Sequence, residues 1–176
     1  KGEKVLINGA GGSIGAYGIQ IAKAMGAEVT AVDKGIKEDF IRRMGADHFV
    51  DYQTEDFTAK NERYDVIFDM VPGSSYSGCV RLLKPNGRYL TGNPTFSFML
   101  RSVFTTWFSD KTVLFRFAGE SEEELLALKT MIEAGEIGSI VEKVYPMEQA
   151  AEAHRRVEAE ERLGALVIAI GDQRVD

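Results

Sequence analysis

The sequence predicts an α/β domain built on a doubly wound sheet of about six parallel strands with helices on both faces. Short apolar runs alternate with segments whose apolar residues recur at helical spacing, and a glycine-rich turn joins the first run to the first helical segment. The composition, 44% hydrophobic and 27% charged, is typical of a folded chain. A length of 176 residues suits one domain with an appendage.

The first half of the chain contains three predicted strands and two predicted helices. Apolar runs predict strands, and i, i+3, i+4 spacing predicts helices. The predicted elements in order are strand Lys4–Asn8, helix 13–25, strand Glu28–Asp33, helix 37–44 and strand 49–50. The same helix-to-strand corner occurs twice, as Met-Gly-Ala-Glu at 25–28 and as Met-Gly-Ala-Asp at 44–47. A glycine that ends each helix is the expected stop signal.

The second half continues the alternation and then changes character. Predicted elements are strand 64–70, helix 75–84, strand 87–92 and strand 112–118. From Ser121 a capping-box pattern opens an amphipathic helix to about residue 134, followed by strand 142–145, helix 148–159 and strand 165–170. We therefore divide the chain into a doubly wound α/β domain, 1–118, and a short C-terminal α/β segment, 119–176.

The turn after the first strand carries the strongest functional signal. Its sequence, GAGGSIG at 9–15, places Ala10, Gly12 and Gly15 at the three key positions of G-x-G-x-x-G, with alanine replacing the first glycine. Gly12 would let the backbone approach a pyrophosphate, and Gly15 would let helix and strand pack closely. Asp33 ends the second strand, where an acid accepts hydrogen bonds from ribose hydroxyls. These features predict a Rossmann dinucleotide site.

Other classes of protein are disfavoured. A net charge of -6 without a basic cluster argues against nucleic acid and against an anionic membrane surface. Cys79, His48 and His154 lack the spacing of a zinc site. No Gly-Lys-Ser/Thr follows the glycines, and no tyrosine is followed four residues later by lysine, the acid–base couple of short-chain reductases. The window 96–108 is too short to span a bilayer.

Several segments together resemble a known family. The run KVLINGAGGSIGAYGIQIAKAMGAEVTAVD, then GADHFVDY, YDVIFDMV, LKPNGRYLTG and VYPMEQAAEAHRRVEAEERLGALVIAI, is similar to the medium-chain dehydrogenase/reductase superfamily, specifically its zinc-independent quinone oxidoreductase-like branch. The most specific pieces are the A-x-G-x-x-G turn, where zinc alcohol dehydrogenases usually have glycine first, and the C-terminal segment from Pro146-Met147-Glu148 to Ala153-His154. Gly164-Ala165 departs from the Gly-Lys that the family often shows.

The resemblance implies an NAD(P)H cofactor and no zinc. Asp33 favours NAD(H), whereas Lys34, Lys37 and Tyr52 fall near positions that contact the 2′-phosphate of NADP(H), so the preference between the two stays open. Val71 is expected beside the adenosine. The nicotinamide is expected between two strand ends, and the complete set of expected cofactor contacts is Ala10, Gly12, Ser13, Ile14, Gly15, Asp33, Lys34, Lys37, Tyr52, Val71, Thr91, Gly92, Phe115 and Phe117.

The resemblance also implies hydride transfer to a quinone, an enone, or an aldehyde or ketone, with no catalytic side chain assigned. Family members begin with a GroES-like substrate domain, so the 119–176 segment is expected to return to a domain absent from this chain, and this fragment alone is expected to be inactive. The aromatic-rich stretch 96–108 is expected to line a substrate cleft and to contribute to a homodimer. The single cysteine fits the reducing cytoplasm.

Two other classes of function remain open at this point. A regulatory nucleotide-sensing Rossmann module would share the fold and the glycine turn without catalysis. A methyltransferase could also use a glycine turn and an acid at the second strand's end, although the six-strand parallel pattern makes it less favoured.

Overall fold

A parallel six-stranded sheet forms the centre of the chain in the computed structural model, which describes residues 1–115 and 121–170. The strands are β1 (Lys4–Asn8), β2 (Glu28–Asp33), β3 (His48–Asp51), β4 (Tyr64–Asp69), β5 (Leu83–Thr91) and β6 (Thr112–Phe115). Their spatial order is β3-β2-β1-β4-β5-β6, the order of a doubly wound dinucleotide-binding sheet. The predicted fold class is confirmed.

Helices connect the strands. They are α1 (Ser13–Ala24), α2 (Glu38–Arg43), α3 (Tyr76–Arg81) and α4 (Phe96–Phe108) in the first part of the chain, then α5 (Glu122–Glu133) and α6 (Ala150–Glu158). Short 3₁₀ turns precede α2 at Gly35–Lys37 and α6 at Met147–Gln149, and a third lies at Phe57–Ala59. In the described part of the chain, none of these helices has the length and apolar character needed to cross a membrane.

The sheet is buried on both faces because side chains of each strand alternate between two apolar cores. In β1, Val5 and Ile7 pack into one core, with Ile19 of α1 and Ile41 of α2. Leu6 points the other way and packs with Ile67 of β4. Near-continuous apolar strands of this kind require cover on both sides, which the crossover helices supply.

The repeated corner predicted from the sequence is present at the ends of α1 and α2. Gly26 and Gly45 both have a positive φ, 78° and 108°. At each corner the glycine amide and the following alanine amide donate back to carbonyls of the last helical turn, for example Ala27 N to Ala22 O at 2.9 Å. This is the Schellman arrangement, in which glycine relieves the steric cost of the left-handed conformation.

Some predicted boundaries differ from the observed ones. Strand β5 begins at Leu83 rather than at residue 87, because Leu83 pairs with Tyr64 before the register shifts and Asn86 takes a positive φ of 60°. Ser75 does not begin helix α3 but caps it, accepting from Gly78 N at 3.2 Å. The last part of the predicted strand 112–118 lies outside the described residues.

The C-terminal segment forms a second, two-stranded parallel sheet. Strands β7 (Val141–Pro146) and β8 (Ala165–Ala169) pair in parallel, with α6 between them in sequence. Ser121 caps α5 as predicted, since its hydroxyl accepts from Glu124 N at 3.3 Å. Ile140 is buried in the same core as β1 and α1, and Leu163 and Ala165 pack against that core. The segment therefore docks on the core beside the six-stranded sheet.

Close packing of α1 on β1 generates a test of the fold. A Cβ added at Gly15 would lie 2.3 Å from Gly9 O and 2.6 Å from Ala10 Cα, and both of these atoms belong to the backbone. We expect Gly15→Ala to lower the free energy of unfolding by about 1–3 kcal/mol, as overpacking does, despite the better helix propensity of alanine. Urea unfolding followed by circular dichroism measures the change.

Gly138→Ala is the matched control, because in the described part of the chain a Cβ there meets only Gln20 Oε1, at 3.8 Å. Its stability is expected to stay within about 0.5 kcal/mol of the unsubstituted chain. Equal stability of the Gly15→Ala variant and this control would contradict the packing account.

Candidate cofactor site

The glycine turn lies where the order of the strands reverses. β1 is flanked by β2 on one side and by β4 on the other, so the crossovers leave the sheet in opposite directions at the end of β1. In open α/β sheets this switch point is where ligands bind, outside the carboxyl ends of the strands. The turn of residues 9–12 occupies this place, and α1 begins immediately after it.

The residues of the turn differ in burial and in their neighbours. Ala10 is fully buried beneath the turn, and Gly15 lies directly against it. Gly12 is the N-cap of α1, and no side chain caps this helix terminus. Apart from its chain neighbours, the one heavy atom of the described residues within 4 Å of a Cβ added at Gly12 is Gly9 O, at 3.5 Å, so the outer side of the turn is open. Exposed amides at a helix N-terminus attract an anion.

Ser13 and Ile14 are the first two residues of α1, and their side chains have different surroundings. The Ser13 hydroxyl donates to Gly164 O at 2.9 Å, so the C-terminal segment engages its side chain. The Ile14 side chain is exposed. Contact of these two residues with a pyrophosphate stays a prediction.

Asp33 is buried at the end of β2 and is held by the turn. Its Oδ2 accepts from Gly11 N at 2.7 Å, and its Oδ1 accepts from Lys34 N at 2.8 Å. Lys37, also buried, places its ammonium 3.2 Å from Oδ1. An ionised carboxylate has about four acceptor positions, so Asp33 retains capacity for a ligand hydroxyl. A Cβ at Gly11 would meet Lys37 Cδ at 2.5 Å, and the pair therefore also requires glycine there.

Lys34 and Tyr52 lie beside Asp33 at the outer end of the site. Lys34 Nζ pairs with a carboxylate oxygen of Glu160 at 2.8 Å. The Glu160 hydrogen bond raises the pKa of Lys34, and the lysine in turn lowers the pKa of Glu160. Tyr52 donates its amide to Asp33 O at 3.3 Å and leaves its ring half exposed, with a phenol pKa raised by desolvation. Sequence reasoning did not identify Glu160.

A cleft of about 260 Å3 opens at the ends of β4 and β5, on the side expected to receive the nicotinamide. Val71 and Thr91 line it, and Asn93 holds its rim by donating from Nδ2 to Met70 O at 2.9 Å. Gly92 follows Thr91, and a Cβ there would lie 2.7 Å from Met70 Cε. Phe115 is in register with Thr91 on β6. Phe117 lies outside the described residues.

Val71 also approaches the glycine turn. Its Cγ2 lies 3.1 Å from a Cβ built on Gly9, so Val71 borders the turn as well as the cleft. Its contact with the adenosine stays a prediction.

Asp69 forms the floor of the cleft and was not singled out from the sequence. Its Oδ1 accepts from Asn8 Nδ2, Ser74 Oγ and Val71 N, each at 3.0 Å, and its Oδ2 accepts from the Tyr89 hydroxyl at 2.7 Å. Burial and the neighbouring carboxylate raise the pKa of Tyr89, so the phenol stays a donor. This network joins β1, β4 and β5 at the edge of the site.

The C-terminal segment contributes contacts that the sequence did not reveal. Gly164 N donates to Gly11 O at 3.2 Å, and the Gly164 carbonyl accepts from Ser13 as described above. Arg162 donates from Nη1 to the same Ser13 hydroxyl at 3.1 Å. A guanidinium therefore lies beside the uncapped N-terminus of α1. The positive ends of helix and side chain together favour an anion.

Glu142 fixes the loop that carries Arg162. One carboxylate oxygen accepts from Leu163 N at 2.8 Å, and the other pairs with Arg156 Nη2 at 2.6 Å. The hydrogen bonds from Arg156 to Glu142 and to the Tyr145 hydroxyl raise the pKa of Arg156. The approach of the loop to the glycine turn is therefore set by a partly buried ion pair.

The described side chains do not form a metal site. Among residues 1–115 and 121–170, no group of three or more His, Cys, Asp and Glu residues could hold a metal ion. Cys79 is buried in the core, and its burial raises the pKa of the thiol to about 12. His48 instead contacts Glu28 at 3.0 Å on the surface.

Known proteins share both the sequence and the fold of this chain. Residues 44–168 match the zinc-binding dehydrogenase family. The chain is 28% identical to the NAD(P)H oxidoreductase RTN4IP1, mitochondrial, of Bos taurus, over 95% of this chain and 48% of the bovine protein. It thus spans about half the length of the curated relatives it matches.

Solved structures of dehydrogenases and reductases share the fold of this chain. A cobalt- and zinc-bound thermostable alcohol dehydrogenase from Pyrobaculum aerophilum is 27% identical, with a TM-score of 0.79, over 96% of this chain and 50% of that one. The quinone oxidoreductase from Coxiella burnetii has the same fold, with a TM-score of 0.82 at 23% identity, over 97% of this chain and 53% of that one. The chain therefore belongs to the zinc-binding dehydrogenase family, within the medium-chain dehydrogenase/reductase superfamily.

Proposed function

We propose that this chain is the cofactor-binding portion of an NAD(P)H-dependent oxidoreductase. The observation that carries the proposal is the open, uncapped N-terminus of α1 at Gly12, placed at the switch point between Asp33 on one side and the cleft beside Thr91 on the other. The relatives are named as oxidoreductases, which favours an enzyme over a nucleotide-sensing module.

The pyrophosphate of the cofactor would lie on the glycine turn. The amides of Ser13 and Ile14 at the start of α1 would donate to it, since the Gly12 amide already donates to Gly9 O at 3.3 Å within the turn. Gly15 keeps the helix close to the turn. Arg162 would supply a compensating positive charge from the C-terminal segment. Because Arg162 already contacts Ser13, it needs little rearrangement to do so.

The adenosine ribose would lie against Asp33, whose carboxylate is held in place by Gly11 and Lys34. We propose NAD(H) as the preferred cofactor. An acid at this position accepts from the ribose hydroxyls of NAD(H) and repels the 2′-phosphate of NADP(H). Lys37 does not offset this, because it is buried and paired with Asp33.

The nicotinamide would enter the cleft lined by Val71 and Thr91, with Phe115 on the neighbouring strand in register with Thr91. When bound, the cofactor supplies the hydride for reduction of a quinone, an enone, or an aldehyde or ketone. The protein's part is to orient the ring and to exclude water at this edge of the sheet. We assign no catalytic acid to the described residues.

The domain division is also part of the proposal. Residues 1–118 would hold the dinucleotide, and 119–176 would connect it to a GroES-like substrate domain that completes the pocket and the activity. We propose zinc-independent chemistry on the strength of Ala10 at the first position of the glycine turn, the marker of the quinone oxidoreductase-like branch. The buried free thiol of Cys79 suits a reducing compartment such as the cytoplasm.

A substitution at the turn tests the cofactor site. Gly12→Ala puts a methyl group on the open side of the turn, where the pyrophosphate would approach. We expect the Kd for NADH to rise about tenfold or more, a loss of about 1.4 kcal/mol, with no loss of fold by circular dichroism. NADH fluorescence titration measures the affinity.

Gly138→Ala, whose added Cβ also meets little, serves as the control and should bind NADH like the unsubstituted chain. If Gly12→Ala binds NADH as tightly as that control, the turn does not hold the pyrophosphate and the proposal is wrong.

We further propose that a second copy of this chain covers the outer face of α4. Phe98 packs inward between Tyr76 and Tyr89, with ring centroids 4.9 and 5.4 Å away. The opposite face leaves a row of large apolar side chains exposed, namely Phe96, Leu100, Phe104, Trp107 and Phe108. A contiguous apolar patch beside an edge strand is typical of an interface. The adjacent strand β6 is that edge.

Trp107→Arg tests the homodimer. Trp107 is 77% exposed, so the substitution does not disturb the core, but it places a charge in the proposed interface. We expect light scattering at micromolar concentration to give twice the 19.4 kDa chain mass for the unsubstituted protein and a monomer mass for the variant. Met25→Arg, on an exposed side chain far from α4 in sequence, should remain dimeric. A monomeric unsubstituted chain would refute the homodimer.

A further inference from the structure

The residue that follows α6 and its C-cap reaches across to the end of β2. Glu160 lies in the C-terminal segment, yet its carboxylate is 2.8 Å from the ammonium of Lys34, the residue next to Asp33. We propose that Glu160 is a specificity-determining residue that disfavours the 2′-phosphate of NADP(H). This rests on the proposed function, because it assumes that the adenosine ribose lies at Asp33.

The charges at this end of the site oppose the binding of a 2′-phosphate. A 2′-phosphate needs cationic partners, and the two lysines that flank Asp33 are both already paired with carboxylates. Lys37 is buried against Asp33, and Lys34 is paired with Glu160. Lys34 is the more accessible of the two, with a quarter of its side chain exposed, so Glu160 occupies the one that a phosphate would reach more readily.

The backbone conformation of Glu160 is one that glutamate seldom adopts. The Glu160 and Glu161 amides donate to Val157 O and Arg156 O, the Schellman arrangement that ends α6. Glu160 therefore takes the left-handed position, with φ of 55°, that favours glycine. Helices α1, α2 and α5 end with Gly26, Gly45 and Gly135 at the same position. A glutamate here is unfavourable for the turn, so the turn itself does not account for it.

Glu160 would weaken the binding of NADP(H) more than that of NAD(H). A phosphate of about two negative charges would have to displace the Glu160 carboxylate from Lys34 or lie close to both Glu160 and Asp33. The ribose hydroxyl of NAD(H) is neutral and meets neither cost. Neutralising Glu160 should release Lys34 as a phosphate partner and so narrow the difference in affinity between NADH and NADPH.

Glu160→Gln tests this with the same backbone demand and nearly the same shape. We expect the ratio of Kd for NADPH to Kd for NADH, measured by fluorescence titration at low salt, to fall about threefold to tenfold. High salt should reduce the change, because these groups are partly exposed. In a Glu160→Gln, Lys34→Gln double variant the gain should be lost.

Glu158→Gln is the matched control. It removes the same charge from an exposed residue of the same segment, so a change caused by net charge alone would appear in both variants. The control is expected to leave the ratio of the two dissociation constants within twofold of the unsubstituted chain. Thermal melting confirms that each variant is folded.

The outcomes separate the two levels of the account. An unsubstituted, folded chain that binds neither NADH nor NADPH overturns the proposed function. A chain that binds NADH while Glu160→Gln leaves the ratio unchanged, or changes it no more than Glu158→Gln does, overturns the assignment of Glu160 alone. An unsubstituted chain that prefers NADPH also overturns it.

Discussion

The hydrogen bond from the Gly11 amide to the buried carboxylate of Asp33 holds the site together. It fixes the glycine turn against the end of β2, and Lys37 supports the same carboxylate from behind. With the turn in this position, α1 starts over the switch point of the sheet and Gly15 packs against Ala10. The open surface at Gly12 and the proposed ribose position at Asp33 both depend on this geometry.

The C-terminal segment changes how the site must be understood. Although it comes after the six-stranded sheet in sequence, it contacts the glycine turn through Gly164, brings Arg162 to the start of α1, and places Glu160 on Lys34. One end of the cofactor site therefore gains a cation and the other gains an anion from the same short loop. Such an arrangement can accommodate a pyrophosphate at the turn while opposing a phosphate on the ribose.

The sequence alone was sufficient for the central fold. The bounds of β1 and β2 and the corners at Gly26 and Gly45 were predicted correctly, since apolar runs and glycine stops are local signals. The start of β5 was missed because it depends on pairing between Leu83 and Tyr64, which no local pattern reveals. Arg162 and Glu160 were missed for the same reason, because their contacts join distant parts of the sequence. Arg162, for example, contacts Ser13, which is 149 positions away. The contacts of Asp33 with Gly11 and Lys37 likewise required the folded chain.

Backbone amide shifts on addition of NADH test the central claim most directly. A 19.4 kDa chain is accessible to nitrogen–proton correlation spectra, which report each amide separately. The account predicts that the amides of Gly12, Ser13 and Ile14 shift together with those of Arg162 and Gly164, over one range of NADH concentration. Saturable shifts confined to other parts of the chain, with the Gly12–Ile14 amides unchanged, would contradict it.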